Sequence, residues 1–328
     1  MSEQRPRVVL TRRTYPEIMA ELASEFDLVE NVDDKAWNAA EMAAAMRDAD
    51  GVLVASGERI DDSLLAQCAR LKAVCNIAVG YNNIDVAACT KHGVLATNTP
   101  DVLNAAVADH AWALLLAAAR RVSESERWLR AGQWKRWRFD MFPGADVSGT
   151  TLGILGMGRI GRAIASRGAG FDMSVIYHSR RRLAPELEAG ARHVSFDQLL
   201  AESDHLVLVV PYTPEVHHII GAAAFAKMKR SAVLINIARG GVVDDAALIE
   251  ALKSGEIAAA GLDVYEGEPA LNPGLMAVEN VVMTPHIASS TRSTRNAMAQ
   301  LAIENLRAAL AGRTPPCLLN PEALANRR

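Results

Sequence analysis

Cysteine is scarce: Cys68, Cys75, Cys89 and Cys317 are the only four in 328 residues, with no C-x-x-C pair and no histidine at metal spacing. A disulfide framework and a cysteine-based zinc site are excluded, and the thiols are expected to be buried or idle in a reducing compartment. No excess of one charge exists either. Lys plus Arg is 35 against 38 Asp plus Glu, a formal −3, so no global field favours nucleic acid or acidic lipid. Long hydrophobic runs are missing. The most apolar helix candidate, Ala111 to Ala119, is closed by Asp109-His110 and Arg120-Arg121, well short of the roughly 20 residues of a membrane span. It reads as a buried or interface helix, and no membrane association is expected. The N-terminus runs straight into Val8-Val9-Leu10 without the apolar stretch and cleavage site of a signal peptide, so a cytoplasmic location is expected. Repeats and low-complexity tracts are also lacking.

What is present is ordinary globular composition, 50% apolar and 22% charged, in a chain about twice the usual domain length. Short β-branched or apolar runs alternate with longer helical patterns, the layout of parallel strands joined by crossover helices, which sets an α/β fold class. In the first hundred residues the strand candidates are 8–10, 51–55, 73–76 and 94–97, with helices near 16–25, 36–46 and 62–69. A larger series follows, with strands at 151–155, 174–177, 205–210, 232–237, 259–263 and 281–284. The helix-rich stretch 102–134 lies between the two series, and a final helical pattern covers 294–311. The chain is therefore expected to cross from one domain to the other twice.

The sharpest motif is Gly156-Met157-Gly158-Arg159-Ile160-Gly161, directly after the strand 151–155 and opening a helix. Its first glycine permits a tight turn, its second lets a pyrophosphate approach the backbone, and its third lets helix and strand pack closely. This context predicts dinucleotide binding. An NAD site should carry an acid at the end of the second strand for the ribose 2′-hydroxyl. Here that place holds Ser179, followed by Arg180, Arg181 and Arg182. A hydroxyl removes charge repulsion and Arg180 offers a planar, charge-assisted grip on a 2′-phosphate, so NADPH is the expected cofactor and NADH the weaker alternative. Arg181 and Arg182 read as a solvated basic turn.

Three polar motifs sit at the ends of later strands, where an open α/β sheet places its ligand crevice. Arg239 follows one apolar strand, Asp263, Glu266 and Glu268 follow another, and His286 follows a third. Three such groups converging on the edge that carries a nucleotide loop would form a site.

The stretches 78–85, 98–100, 156–161, 210–214, 236–240, 263–269 and 284–289 together resemble the D-isomer-specific 2-hydroxyacid dehydrogenase family over nearly the whole chain, most closely its glyoxylate/hydroxypyruvate reductases. The resemblance implies two Rossmann-like doubly wound parallel-sheet domains with a cleft between them. It further implies a discontinuous substrate domain, 1–99 plus 288–328, and a dinucleotide-binding domain, 100–287. Arg239, Glu268 and His286 become the catalytic triad; Val79, Gly80 and Ser289 join Arg239 in binding substrate, although Ser289 also reads as a helix N-cap. Val210, Pro211, Thr213 and Ile237 are placed along the nucleotide, with Asp263 near its carboxamide.

Elementary chemistry assigns compatible roles. Reduction of a 2-keto acid needs a hydride at the carbonyl carbon, a proton at its oxygen and a fixed carboxylate. His286 suits the proton, Glu268 on its ring favours the protonated form, and Arg239 suits the carboxylate. Backbone N–H groups of Val79 and Gly80 can form an anion-binding nest. The expected substrates are small 2-keto acids, glyoxylate and hydroxypyruvate first and 2-ketogluconate as a further candidate. The alternatives are an NAD-dependent dehydrogenase of the phosphoglycerate type and a nucleotide-sensing corepressor. Glu266 reads as a solvated loop residue. His217-His218 has no third ligand at sensible spacing, so no metal is expected. Trp128, Trp134 and Trp137 point to burial in a homodimer formed through the 102–134 region, with no nucleic-acid partner.

Overall fold

The computed structural model describes residues 5–328. Two compact units are formed, one from the stretch up to Leu103 together with Thr291–Arg328, the other from Asn104–Ser290. The sequence placed the crossings a few residues earlier, at 99/100 and 287/288.

The first unit is built on β1 (Arg7–Leu10), α1 (Pro16–Glu25), β2 (Asp27–Glu30), α2 (Ala39–Met46), β3 (Gly51–Val54), α3 (Asp62–Leu65), β4 (Ala73–Asn76), α4 (Val86–Lys91) and β5 (Leu95–Thr97). All its strands are parallel, in the order β2-β1-β3-β4-β5. Alternation along each strand feeds two cores. Val8, Leu10, Leu53 and Cys75 pack on one face, while Val9, Val52, Val54 and Val74 pack on the other, as a sheet covered on both sides requires. Cys68, Cys75 and Cys89 are buried free thiols, and burial pushes Cys75 and Cys89 up to about 12.

The second unit contains α5 (Asn104–Ala119), α6 (Val122–Arg130), β6 (Thr151–Leu155), α7 (Arg159–Gly168), β7 (Ser174–His178), α8 (Pro185–Glu188), β8 (Arg192–His193), α9 (Phe196–Glu202), β9 (His205–Leu208), α10 (Ala222–Phe225), β10 (Val233–Asn236), α11 (Asp245–Ser254), β11 (Ala259–Leu262) and β12 (Val281–Met283). Its sheet is parallel throughout, in the order β12-β11-β10-β9-β6-β7-β8. The strand order reverses between β6 and β9, and the crevice of such a sheet lies at its carboxyl edge beside that reversal. The last helix, α12 (Arg292–Leu310), returns to the first unit alongside α1, with Arg292 on Glu17 at 2.9 Å and Arg307 on Glu21 at 2.7 Å.

Two edge strands escaped sequence reading because they are short of apolar residues. β2 has only Leu28 and Val29 between acids, and β8 is the dipeptide Arg192-His193. Edge strands need no continuous apolar run. Helix α5 is buried within the second unit: it lies against β10, β11 and α7, and Trp112 stacks on Phe171 at 4.7 Å while its indole N–H donates to the Ile164 carbonyl. By contrast α6 buries no side chain.

Arg182 is exposed, as a solvated turn requires, but it has a partner. It forms two hydrogen bonds to Glu188, at 2.8 and 3.1 Å, and Tyr177 Oη donates to the same carboxylate at 2.6 Å. Arg182 first and Tyr177 second hold Glu188 down at about 2, well below its ordinary 4.5. A carboxylate lowered in the folded state stabilises above its unfolded pKa, and that stabilisation disappears as pH falls through the folded value. Glu188→Gln should therefore lower Tm at pH 7, with the gap to the native chain closing as pH drops from about 4.5 to about 2. Thermal unfolding across that range checks it; a gap that stays constant contradicts the assignment.

Candidate active site

The glycine turn follows β6 directly. Gly156 has φ +101°, a conformation that L side chains rarely adopt, and a Cβ there would meet Val209 and Val210 at about 3 Å. A Cβ on Gly161 would lie 2.3 Å from the Gly156 carbonyl oxygen, whereas one on Gly158 would meet nothing within 4 Å. The first and third glycines are thus required by the protein's own packing. The second leaves its space open at the amino end of α7, where orphan N–H groups favour a phosphate. The residues fit a dinucleotide. Within the motif the Met157 side chain is buried, Arg159 is exposed and Ile160 is half-buried. Met157 N–H donates to Ser179 Oγ at 2.9 Å, so the residue in the acid's usual place also ties the turn to the end of β7. Arg180 beside it is exposed.

The next strands deliver the remaining predicted residues to the same edge. Val210, Pro211 and Thr213 follow β9, and Val210 lies against Gly156. Ile237 follows β10, with its N–H on the Leu208 carbonyl at 3.3 Å. Beyond it, buried Asn236 shapes the turn that carries Arg239, donating to the Arg239 carbonyl at 3.1 Å and accepting from Ala238 N–H at 3.1 Å. Arg239 Nη1 donates to the Ala238 carbonyl at 2.7 Å. Burial pushes the Arg239 guanidinium down, and Glu268 draws it up. Gly240 seats this turn on the loop after β11, since any Cβ there would run into Tyr265 at 1.8 Å.

Glu268 lies in that loop and reaches in two directions. One oxygen accepts from Tyr265 N–H and the other pairs with His286 Nδ1, both at 2.8 Å. Burial raises the Glu268 carboxyl, but the bond to His286, the Tyr265 N–H and the charges of His286 and Arg239 outweigh it, leaving it below its ordinary value. The carboxylate is the form that holds the imidazole. His286 itself has φ +53°, with its N–H on the Thr284 carbonyl at 3.0 Å. A left-handed residue other than glycine costs roughly 1–2 kcal/mol.

Asp263 holds the loop in that conformation. It is fully buried, one oxygen accepting from Thr284 Oγ1 at 2.6 Å and Ile287 N–H at 2.8 Å, the other from Ala288 N–H at 2.8 Å. His110 Nε2 lies 3.4 Å from the same carboxylate and 3.0 Å from Thr284 Oγ1. Hydrogen bonds to a charged acceptor are worth about 1.5–3 kcal/mol each, so this set exceeds the strain at His286. Burial raises Asp263, and the bonds from His110, Thr284, Ile287 and Ala288 bring it below its ordinary value. Enclosed in this way, the Asp263 carboxylate acts on the histidine loop. Tyr265 contributes similarly, its hydroxyl 2.9 Å from the Thr284 carbonyl.

Ser289 is half-buried, and it is not a helix cap: Thr291 caps α12, accepting from Thr294 N–H at 3.1 Å. Glu266 is not a solvated loop residue either. It pairs with His218 Nε2 at 2.5 Å. In the first unit, the carbonyls of Ala78, Val79 and Gly80 accept from Thr99 N–H, Asn98 Nδ2 and Asn76 Nδ2 at 3.0, 2.8 and 2.8 Å. Trans peptide planes turn the Val79 and Gly80 N–H groups away from the Ala78 and Val79 carbonyls. Asp263, Thr284 and His110 as a unit escaped sequence reading. The available signal was register, since Leu262 pairs with Met283 and so sets Asp263 beside Thr284.

Residues 112–288 match the sequence profile of the D-isomer specific 2-hydroxyacid dehydrogenase NAD binding domain. A glyoxylate reductase of Thermococcus onnurineus is 46% identical over 99% of this chain and 98% of its own. The chain belongs to the D-isomer specific 2-hydroxyacid dehydrogenases. Another family member, a glyoxylate reductase of Pyrococcus furiosus, is 44% identical over 99% of this chain and 98% of its own. Among solved members, an NADPH-dependent glyoxylate/hydroxypyruvate reductase of Sinorhizobium meliloti, in complex with NADP and malonate, superposes with a TM-score of 0.88 at 35% identity, covering 99% of each chain. Among the described residues of the present chain, no helix is long and apolar enough to cross a membrane.

The three glycines separate by experiment. Gly158→Ala should leave the unfolding midpoint nearly unchanged, because its φ of −71° suits alanine and its surroundings are open, yet lower nucleotide affinity at least tenfold by filling the phosphate's approach. Fluorescence titration beside chemical denaturation checks it; unchanged affinity contradicts this use of the turn.

Proposed function

We propose that the chain reduces small 2-keto acids to D-2-hydroxy acids with NADPH, taking glyoxylate and hydroxypyruvate first and 2-ketogluconate as a further substrate. The observation that carries this reading is the 2.8 Å bond between His286 Nδ1 and Glu268, at the same sheet edge as the glycine turn and Arg239. The names of the reductase relatives support the substrate class.

When bound, the nicotinamide supplies the hydride that goes to the keto carbon. The protein supplies everything else. Glu268 holds one ring nitrogen of His286, so Nε2 is the nitrogen that gives its proton to the keto oxygen. Glu268 stays ionised and stabilises the imidazolium that must be regenerated after each turnover. Arg239 offers the substrate carboxylate two parallel charge-assisted hydrogen bonds. Val79, Gly80 and Ser289 are proposed as further substrate contacts.

For the nucleotide, the glycine turn receives the pyrophosphate, with Met157, Arg159, Ile160, Val210, Pro211, Thr213 and Ile237 along it. Ser179 and Arg180 favour the 2′-phosphate. The Ser179 hydroxyl accepts from Met157 N–H and keeps its own proton for a phosphate oxygen. The homodimer reading is proposed for the α6 side of the 102–134 region, where Val122, Leu129 and Trp134 are each about half exposed.

Steady-state reduction of glyoxylate and hydroxypyruvate with each nucleotide tests the proposal. A kcat/KM at least tenfold higher with NADPH than with NADH, and a D product from hydroxypyruvate, are expected. Equal values or a preference for NADH would overturn the cofactor assignment. Tight nucleotide binding with negligible turnover would favour a sensing module.

A further inference from the structure

We propose that His217, His218 and Glu266 form a site for a divalent transition-metal ion of the zinc class, on the turn behind Arg239. The sequence reading lacked a third ligand because Glu266 lies 48 residues from His218. Folding brings it there: one ligand atom from each of the three side chains lies within 4.8 Å of the others.

The two rings are stacked, 3.8 Å between centroids and 23° between planes. Tyr212 Oη meets His217 Nδ1 at 3.0 Å, so a proton on Nδ1 shared with Tyr212 leaves the Nε2 lone pair for a metal. His218 Nε2 already faces Glu266 at 2.5 Å, while its Nδ1 lies 4.0 Å from Asp244. That carboxylate is placed to orient the ring of a metal-bound histidine from behind. Zinc takes nitrogen and oxygen ligands at about 2.0–2.2 Å, so tetrahedral neighbours stand roughly 3.3–3.5 Å apart. No pair must therefore draw together by more than about 1.5 Å, while His218 Nε2 and Glu266, at 2.5 Å, must open by about 1 Å. His218 and Glu266 are each about one-third exposed, at 35% and 34%, and can rotate to do so.

Charge favours the ion. Glu266, Asp244 and Asp245 gather here, and among the described residues none of the three forms an ion pair with Lys or Arg. Asp245 is only 4% exposed, with one carboxylate oxygen lacking any hydrogen-bond partner, and its N–H lies 3.5 Å from Glu266. A cation relieves this excess of negative charge. Two imidazoles and a carboxylate suit zinc, whereas magnesium and calcium prefer oxygen ligands throughout. The bound ion would tie the 212–218 loop to the loop after β11, and it would touch neither Arg239 nor His286.

Competition titration of Zn2+ against a chromophoric chelator, with the full chain at fixed pH, tests the site. One ion per chain is expected, with affinity falling at least tenfold in His217→Ala and again in Glu266→Gln, and a Zn2+-dependent rise in Tm in the native chain alone. Co2+ should give the visible absorption of a tetrahedral nitrogen and oxygen site in the native chain and lose it in both variants. No stoichiometric binding, or binding and spectra indifferent to both substitutions, would overturn the proposal.

Discussion

The hydrogen bond between Glu268 and His286 is the constraint around which the second unit is organised. It joins two loops that leave adjacent strands, and neither would hold its shape unaided. The histidine sits in a left-handed conformation, and such a residue persists only where its surroundings over-determine it. Buried Asp263 supplies that determination through Thr284, Ile287 and Ala288. On the other side, Tyr265 N–H fixes the second oxygen of Glu268 and the Tyr265 hydroxyl reaches back to the Thr284 carbonyl. The imidazole is therefore aimed by the protein before any ligand arrives.

A parallel sheet makes this arrangement accessible. Every strand presents its carboxyl end on one edge, so residues far apart in sequence emerge side by side there. The glycine turn after β6, the valine pair after β9, Arg239 after β10, Asp263 after β11 and His286 after β12 are all products of that rule. The reversal of strand order between β6 and β9 opens room for a nucleotide at the same edge. The glycines divide their labour accordingly: Gly156 and Gly161 serve internal packing, while Gly158 alone faces open space.

Much of this was legible from residue order because central strands of a parallel sheet are continuous apolar runs. The strands 73–76 and 151–155 and the helix 16–25 match their predicted bounds, and the other central strands differ by a residue or two at their ends. Two of the four edges were not legible, since β2 and β8 carry too few apolar residues to stand out, whereas β5 and β12 do carry them. At the site, Arg239, Glu268 and His286 were visible as polar residues just past apolar runs. What Asp263, Glu266 and Ser289 do was not visible, because a carboxylate or hydroxyl at a strand end looks the same whether it faces a ligand or a neighbouring loop. Only the register of β11 with β12 gives Asp263 its work, and only the fold brings Glu266 to His218. Helix α5 was legible as a buried or interface helix, and its own sheet covers it.

If Glu268 acts on the reaction only through His286, the two residues form one functional unit and their losses cannot multiply. The decisive measurement is kcat for the native chain, Glu268→Gln, His286→Ala and the double variant. His286→Ala is expected to lose about a hundredfold or more, and adding Glu268→Gln to it should cost no more than about a further twofold. Losses that multiply in the double variant would contradict the account, because Glu268 would then contribute by a route that does not pass through the imidazole.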